Sequence, residues 1–323
     1  MEGELRWGLI GTGGIAATFA ADLERTDSGR VVAVGSRRQE TADAFAERFG
    51  IPKRHPSYEA LVEDPDVDAV YVATPHPMHL PDATLALQAG KPVLVEKPFT
   101  IDAAQARELV ALARSRGVFA MEAMWTRFLP HVRAIREILA LGELGEIVTV
   151  IADHGQWFAA DGSHRLFAPE LSGGALLDLG IYPVSFASMV LGTPQRVRAI
   201  MTPAFTGVDA QTSMVFSYSS GAQAILTSTL AAKSPTRAAI VGTRARIEID
   251  GDFYRPTSFE VITKDGERTA HPLAAPDEGG LRYEADEVAR CLREGLLESP
   301  LMPLDESVSI METMDAVVAS ARG

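Results

Sequence analysis

Leu9-Ile10-Gly11-Thr12-Gly13-Gly14-Ile15-Ala16 is the stretch on which the fold turns. The apolar run 6–10 reads as a strand and 15–25 as a helix. Between them the spacing G-x-G-x-x-A puts Gly11 in a tight turn. It lets backbone N–H groups around Gly13 approach a pyrophosphate, and it lets Ala16 pack the helix close to the strand. An ordinary strand–helix turn is the alternative. The place of the motif, at the first strand–helix junction, favours a dinucleotide seat formed by Gly11, Thr12, Gly13, Gly14 and Ile15.

Outward from this turn, the first 120 residues alternate strand and helix patterns. Strands are expected at 6–10, 30–35, 69–74, 92–95 and 118–121, and helices at 15–25, 40–49, 80–89 and 103–116. Short β-rich runs separated by helical stretches indicate a parallel, doubly wound sheet. The pattern changes after residue 121. A helix at 129–141, a strand at 146–153, a polar and aromatic loop and a helix at 175–190 come first. Six or seven strand-like runs then fill 195–271 without a long helix among them. That is the pattern of a mostly antiparallel sheet. Helices near 283–294 and 305–320 close the sequence. The expected class is α/β: a doubly wound nucleotide-binding domain over 1–121, then an α+β domain with a large, mostly antiparallel open sheet over 122–323. The terminal helices are free to pack back on the first domain.

A chain of 323 residues suits two domains. Hydrophobic residues make up 46% and charged residues 23%, enough for two cores. The formal net charge is -13 and the pI about 5.0. An anionic surface repels phosphate backbones and acidic lipid, which argues against nucleic-acid and membrane partners. Cys291 is the single cysteine, so no intrachain disulfide forms, and the helical pattern around it reads as packing. Residues 1–6 lack the basic and apolar segments of a leader. No apolar run is recognised that approaches the roughly 18 residues of a spanning helix. A cytoplasmic protein is expected.

The second strand ends Val34-Gly35-Ser36-Arg37-Arg38-Gln39, with no acidic residue from 30 to 39. A site preferring NAD usually places a carboxylate there, on the ribose 2′-hydroxyl. Here Ser36 can hydrogen-bond a 2′-phosphate and Arg37 can pair with it. Arg38 can pair too, or stack on the adenine. The expectation is NADP over NAD, the alternative being two solvated surface arginines. The third expected strand ends Ala73-Thr74-Pro75-His76-Pro77-Met78-His79. Thr74, Pro75, His76 and His79 should border the cofactor. His-x-x-His can ligate zinc, but no third ligand is apparent nearby, so no metal is expected.

Two places carry candidate chemistry. Glu96-Lys97-Pro98 follows the strand Val93-Leu94-Val95, and a lysine at the carboxyl end of a parallel strand lies near the cofactor. Hydride transfer at a carbinol carbon must be matched by proton transfer at its oxygen, and Lys97 is one candidate to donate or polarise. Glu96 is its partner or faces the core. The second place is Gly173-Gly174-Ala175-Leu176-Leu177-Asp178-Leu179-Gly180-Ile181-Tyr182. Asp178 and Tyr182 stand four residues apart, on one helix face, among apolar neighbours. An aspartate there needs a partner. Tyr182 is the second proton-exchange candidate; a buried structural Asp–Tyr pair is the alternative.

The glycine turn, Glu96-Lys97-Pro98 and the Asp178…Tyr182 helix resemble the Gfo/Idh/MocA oxidoreductases. Within them, Glu122-Ala123-Met124-Trp125-Thr126-Arg127-Phe128 and GGALLDLGIYP at 173–183 resemble the subgroup of dimeric dihydrodiol dehydrogenases and NADP-linked D-xylose 1-dehydrogenases. The similarity runs through Tyr283-Glu284-Ala285 and the final helices. The resemblance implies a Rossmann domain, then a domain whose open sheet mediates homodimer or homotetramer formation. It implies that Lys97 is catalytic, that the Lys97–Pro98 bond is cis, and that Tyr182 is the acid/base where many wider relatives carry histidine. Asp178 orients. Trp125 and Arg127 border the cofactor, with Arg127 near the phosphates or a structural carboxylate; core packing stays open for Trp125. His154, Trp157, Phe158, His164 and Arg165 fall in the expected substrate loop, where aromatic platforms suit sugar rings. The expected activity is an NADP-dependent oxidoreductase acting on a ring carbinol or carbonyl of an aldose or cyclic trans-diol. Two alternatives are a non-catalytic NADP-binding regulator and a nicotinamide-dependent glycoside hydrolase.

Overall fold

The computed structural model describes residues 3–273 and 279–322, so Met1 and Glu2 of the N-terminal segment lie outside the described residues. The chain divides into two compact units, Met1–Phe128 with Gly279–Val308, and Leu129–Glu278 with Ser309–Gly323.

The first unit carries β1 (Leu5–Ile10), α1 (Gly14–Leu23), β2 (Gly29–Gly35), α2 (Gln39–Phe49), β3 (Lys53–His55) and α3 (Tyr58–Val62). It continues with β4 (Ala69–Val72), α4 (His79–Gln88), β5 (Val93–Glu96), α5 (Ala103–Arg116) and β6 (Ala120–Ala123). Among the described residues the sheet has six strands in the order β3-β2-β1-β4-β5-β6, all parallel. The order reverses between β1 and β4, which opens a crevice at their carboxyl ends. Every residue of β4, β5 and β6 is buried, as in a sheet covered by helices on both faces. Phe19 of α1 meets Trp7 edge-on at 5.4 Å and stacks on Tyr71 at 4.0 Å. Burial of each such ring contributes about 2–3 kcal/mol, and the trio rivets α1 to β1 and β4. Short β3 and α3 were not expected from the sequence, so the strand expected third is the fourth. Lys53-Arg54-His55 is polar throughout, and its three residues are too few to show a period of two.

The second unit carries α6 (Pro130–Ala140), β7 (Ile147–Gly155), α7 (Ile181–Leu191), β8 (Arg196–Pro203), β9 (Asp209–Ser217) and β10 (Gln223–Thr229). Next come β11 (Ala238–Gly242), β12 (Ala245–Ile249), β13 (Phe259–Thr263) and β14 (Arg268–His271). Among the described residues these form an eight-stranded sheet, β14-β13-β12-β11-β7-β10-β9-β8. All pairs are antiparallel except β7 with β10. Burial alternates along β10: Ala224, Leu226 and Ser228 are buried while Ile225 is exposed. One face is therefore packed, with α7 against β7 and β10, and the other is open.

The helix expected over 175–190 is two elements, a π-helical turn at Leu176–Gly180 and then α7. Pro183 explains the break, because it has no N–H to donate to Leu179 and its ring crowds that carbonyl. The last helices are α8 (Leu281–Arg293) and α9 (Leu304–Arg322). α8 belongs to the first unit and has no N-cap side chain of its own. Buried Asp22 of α1 does that work: its Oδ2 accepts from the N–H of Gly280 at 2.7 Å and of Arg282 at 2.9 Å. Among the described residues one stretch, Pro169–Leu191, is long and apolar enough to cross a membrane by length and composition, against the sequence reading that recognised none. Glu170, Gly173, Gly174 and Asp178 interrupt its pattern, and 72% of the window is buried inside the fold.

Candidate active site

In the first unit, Gly11 takes φ +105°, and a Cβ there would stand 2.9 Å from the Ala73 carbonyl oxygen. Only glycine fits that close approach of β1 to β4. A Cβ on Gly13 or Gly14 would meet nothing within 4 Å. α1 begins at Gly14 with no side-chain cap and no acidic residue in its first turn. Thr12 is half-buried, while Gly13, Gly14 and Ile15 are exposed. The free N–H groups and the helix dipole make this terminus a fitting seat for a pyrophosphate. At the end of β2, Ser36 is buried, and Arg37 and Arg38 are exposed. The Arg38 N–H donates to Ser36 Oγ at 3.5 Å. Tyr58 and Asp82 lie near Arg37, and the Arg37 cation works against the burial that raises both their acids. No carboxylate belongs to this strand end, so the residues fit a 2′-phosphate.

After β4, Thr74 donates its hydroxyl to Asp82 Oδ2 at 2.7 Å. Pro75 is exposed and His76 buried, its ring 5.7 Å from that of His79. His79 is fully buried, with Nδ1 2.8 Å from the Pro98 carbonyl and Nε2 2.9 Å from the Thr74 carbonyl. Burial pushes its imidazole down to about 4, with the Lys97 ammonium acting in the same direction. A neutral ring has one N–H and serves one of the two carbonyls at a time. His79 thus ties the loop after β4 to the segment after β5. Among the described residues no group of three or more His, Cys, Asp or Glu is placed to hold a metal ion.

Lys97 follows β5, half-buried, and the Lys97–Pro98 bond is cis. The Glu96 carboxylate takes the Tyr71 hydroxyl on one oxygen and the Lys97 N–H on the other, at 3.1 Å. Trp125 and Arg127 stand in a short 3-10 turn, Trp125–Phe128. Trp125 is half-buried, whereas Arg127 is 1% exposed and pairs with Glu306 at 2.7 Å. Arg127 thus has a carboxylate partner, one of the two settings expected for it.

In the second unit, the π-helical turn holds Asp178 and the first turn of α7 holds Tyr182, both buried. Asp178 Oδ1 accepts from the Arg165 guanidinium at 3.0 Å. The partner an interior aspartate requires is therefore a residue of the expected substrate loop. His154 lies at the end of β7 rather than in that loop, 1% exposed. Its ring is 5.1 Å from Tyr182 and stacks on Tyr254 at 4.3 Å; Tyr254 is 4.9 Å from Tyr182. The Gln156 amide donates to His154 Nε2 at 2.9 Å and to the Tyr254 hydroxyl at 3.2 Å. Trp157 is 66% exposed, and Phe158 packs at 5.5 Å from His164, which caps the turn Arg165–Phe167. Phe158 also packs against Leu166, Phe167, Ala175, Leu179 and Leu230, an apolar anchor under the loop.

Four residues escaped the sequence reading as site candidates: Glu122, Gln156, Asp209 and Tyr254. Asp209 heads β9 and accepts the Leu176 N–H at 2.7 Å, capping the turn that holds Asp178. Burial raises its acid, against the hydrogen bonds from Leu176 and Thr212. Nothing local marks Tyr254, because it acts through contacts distant in sequence, and Gln156 joins its near neighbour His154 to that distant residue. A carboxyl at the carboxyl end of β6 was the one available signal for Glu122.

Residues 5–124 match the family described as "Oxidoreductase family, NAD-binding Rossmann fold", and residues 132–248 match the GFO/IDH/MocA C-terminal domain. The chain is 40% identical over 322 residues to a trans-1,2-dihydrobenzene-1,2-diol dehydrogenase from Mus musculus, covering 96% of this chain and 95% of the mouse protein. It is 38% identical over 353 residues to a D-xylose 1-dehydrogenase (NADP(+)) from Hypocrea jecorina, covering 96% and 90%. It is similar in structure to a 3-ketoreductase from Actinomadura kijaniata, solved with NADP and TDP-benzene. That likeness has a TM-score of 0.85 and 30% identity, over 98% of both chains.

Proposed function

The chain belongs to the Gfo/Idh/MocA oxidoreductase family, and from that premise we propose how its residues carry the reaction. It is an NADP-dependent oxidoreductase that acts on CH–OH groups, on a ring carbinol or the matching carbonyl of a sugar or cyclic diol. The observation that carries the reading is the uncapped N-terminus of α1 beside a strand end offering Ser36, Arg37 and Arg38 but no carboxylate. Bound there, NADP supplies a two-electron hydride acceptor.

The residue roles follow from charge and protonation. Gly11 makes the tight turn, its N–H donating to the Gly35 carbonyl at 3.2 Å, while Thr12, Gly13, Gly14 and Ile15 cradle the pyrophosphate with main-chain N–H groups, and Thr74, Pro75 and His76 border the same crevice. Oxidation removes a hydride from carbon and a proton from the attached oxygen. Tyr182 takes that proton as the general base in its phenolate form, becoming the phenol, and the phenol returns it in the reverse direction. Lys97 supplies a cation that stabilises negative charge developing on the substrate oxygen. Asp178, held by Arg165, fixes the turn from which Tyr182 projects. Trp157, Phe158, His154 and His164 provide faces and hydrogen-bonding edges for a ring substrate.

Ile225, Ile151 and Val215 are direct neighbours in register on the open sheet face, each 44–46% exposed. This apolar row supports a homo-oligomer closed through the second unit's sheet. A cytoplasmic setting completes the proposal.

The test is a turnover screen of aldoses, including D-xylose, and of trans-1,2-dihydrobenzene-1,2-diol with NADP and with NAD, read at the nicotinamide absorbance. NADP reduction on at least one ring alcohol is expected, with NAD poorer. Preference for NAD, or a glycoside cleaved without net NADP reduction, overturns the proposal.

A further inference from the structure

β5 ends at Glu96, so the main chain of Lys97, Pro98 and Phe99 leaves the sheet. Three of its polar groups are held by buried side chains instead. The Lys97 N–H goes to Glu96 and the Pro98 carbonyl faces His79. The Phe99 N–H donates to Glu122 Oε1 at 3.1 Å. Glu122 stands on β6 opposite Val95 and is 0% exposed. Its second oxygen accepts the hydroxyl of Ser307, itself 0% exposed, at 2.8 Å. Burying a carboxyl costs stability, and an apolar residue of similar volume would avoid that cost. An apolar residue cannot hold the Phe99 N–H.

We propose that Glu122, braced by Ser307, is a positioning residue for Lys97: it fixes the main chain two residues beyond the lysine and so sets where the ammonium stands. The inference rests on the role assigned to Lys97 above. The clamp works in either charge state. Ionised, Glu122 accepts from both donors. Protonated, its carbonyl oxygen still accepts from Phe99 while its O–H donates to Ser307 Oγ. Burial favours the protonated form, pushing the acid up to about 7 against the pull of Ser307, Phe99 and Arg127; Glu306 pushes the same way as burial. Glutamine copies that form: its carbonyl accepts and its amide donates. Alanine does neither.

The experiment uses the full-length enzyme with NADP and the ring alcohol found by the screen. Lys97→Met, Glu122→Ala, Glu122→Gln, Ser307→Ala and the Glu122→Ala/Ser307→Ala double variant are compared below their thermal midpoints. Glu122→Ala should lose about 100-fold in kcat, the scale of a roughly 1 Å misplacement. Its NADPH affinity and substrate KM should stay within about threefold of wild type. Glu122→Gln should recover kcat to within about threefold. Ser307→Ala should lose less than Glu122→Ala and add nothing to it in the double variant. The inference falls if Glu122→Ala keeps its kcat while Lys97→Met is inactive, or if its loss lies in KM and NADPH affinity. It also falls if Glu122→Gln is as poor as Glu122→Ala. Turnover retained by Lys97→Met removes the Lys97 role itself, a different failure. Should Glu122→Ala not fold, a wild-type kcat for Ser307→Ala together with a poor kcat for Glu122→Gln overturns the inference.

Discussion

Arg37 and Arg38 follow β2 with exposed guanidiniums, and the proposal assigns them the choice of nucleotide. A charge-assisted bond contributes about 1.5–3 kcal/mol. Arg37→Ala should therefore raise the KM for NADP roughly tenfold to a hundredfold while leaving that for NAD nearly unchanged. An equal effect on both nucleotides would contradict the assignment. Buried acids set a second residue-scale expectation. Burial holds Glu122 near 7 and pushes Glu284 well above its ordinary value, with Glu96, Asp22 and Glu122 adding to Glu284. Glu284 is 0% exposed, and among the described residues neither of its oxygens has a hydrogen-bond partner. Both folded values are raised, so their contribution is intact below the unfolded value and is lost as pH climbs through the folded one. For Glu122 the window runs from 4.5 to about 7, a loss of roughly 3 kcal/mol. The melting temperature of Glu122→Gln relative to wild type should rise from pH 5 to pH 8, as read by calorimetry at each pH. A flat difference would show that Glu122 does not titrate in this range.

Asp209 and Gly174 act at the scale of an element, the start of the helix that bears Tyr182. Gly174 has φ +117°, and a Cβ there would stand 2.1 Å from Asp209 Oδ1. Gly174→Ala should destabilise the protein by about 1–3 kcal/mol in urea unfolding. Asp209→Ala should lose about 1–2 kcal/mol with the cap, and Asp209→Asn less, since it keeps an acceptor. A neutral Gly174→Ala would mean the turn is not fixed as described. This element also marks where sequence reading stopped. The paired glycines and the Asp178–Tyr182 spacing were readable, because they are local. The cap was not, because Asp209 lies 33 residues from Leu176. The π-helical turn was hidden because a wide turn and an α-turn have nearly the same apolar spacing. The parallel sheet was readable from alternating elements, whereas three-residue β3 gave no period to read. Lys97 stood out from its place at a strand end. The grip of Glu122 and His79 on its segment did not, because it joins residues 19 and 23 positions apart.

At the scale of the whole molecule, a net charge of -13 keeps the surface repulsive, so the proposed association draws on an apolar face. The row Ile151, Ile225 and Val215 on the open sheet is the proposed face. The wild type should sediment as a dimer or tetramer and Ile225→Asp as a monomer; a monomeric wild type would contradict this. The central proposal is that Lys97 and Tyr182 carry the proton and charge side of hydride transfer. Its most direct test measures turnover and NADPH affinity together in Lys97→Met and Tyr182→Phe. Each variant should bind NADPH within about threefold of wild type and lose about 10²- to 10⁴-fold in kcat. Turnover near wild type in either variant, or a loss of NADPH affinity as large as the loss of kcat, would contradict the account.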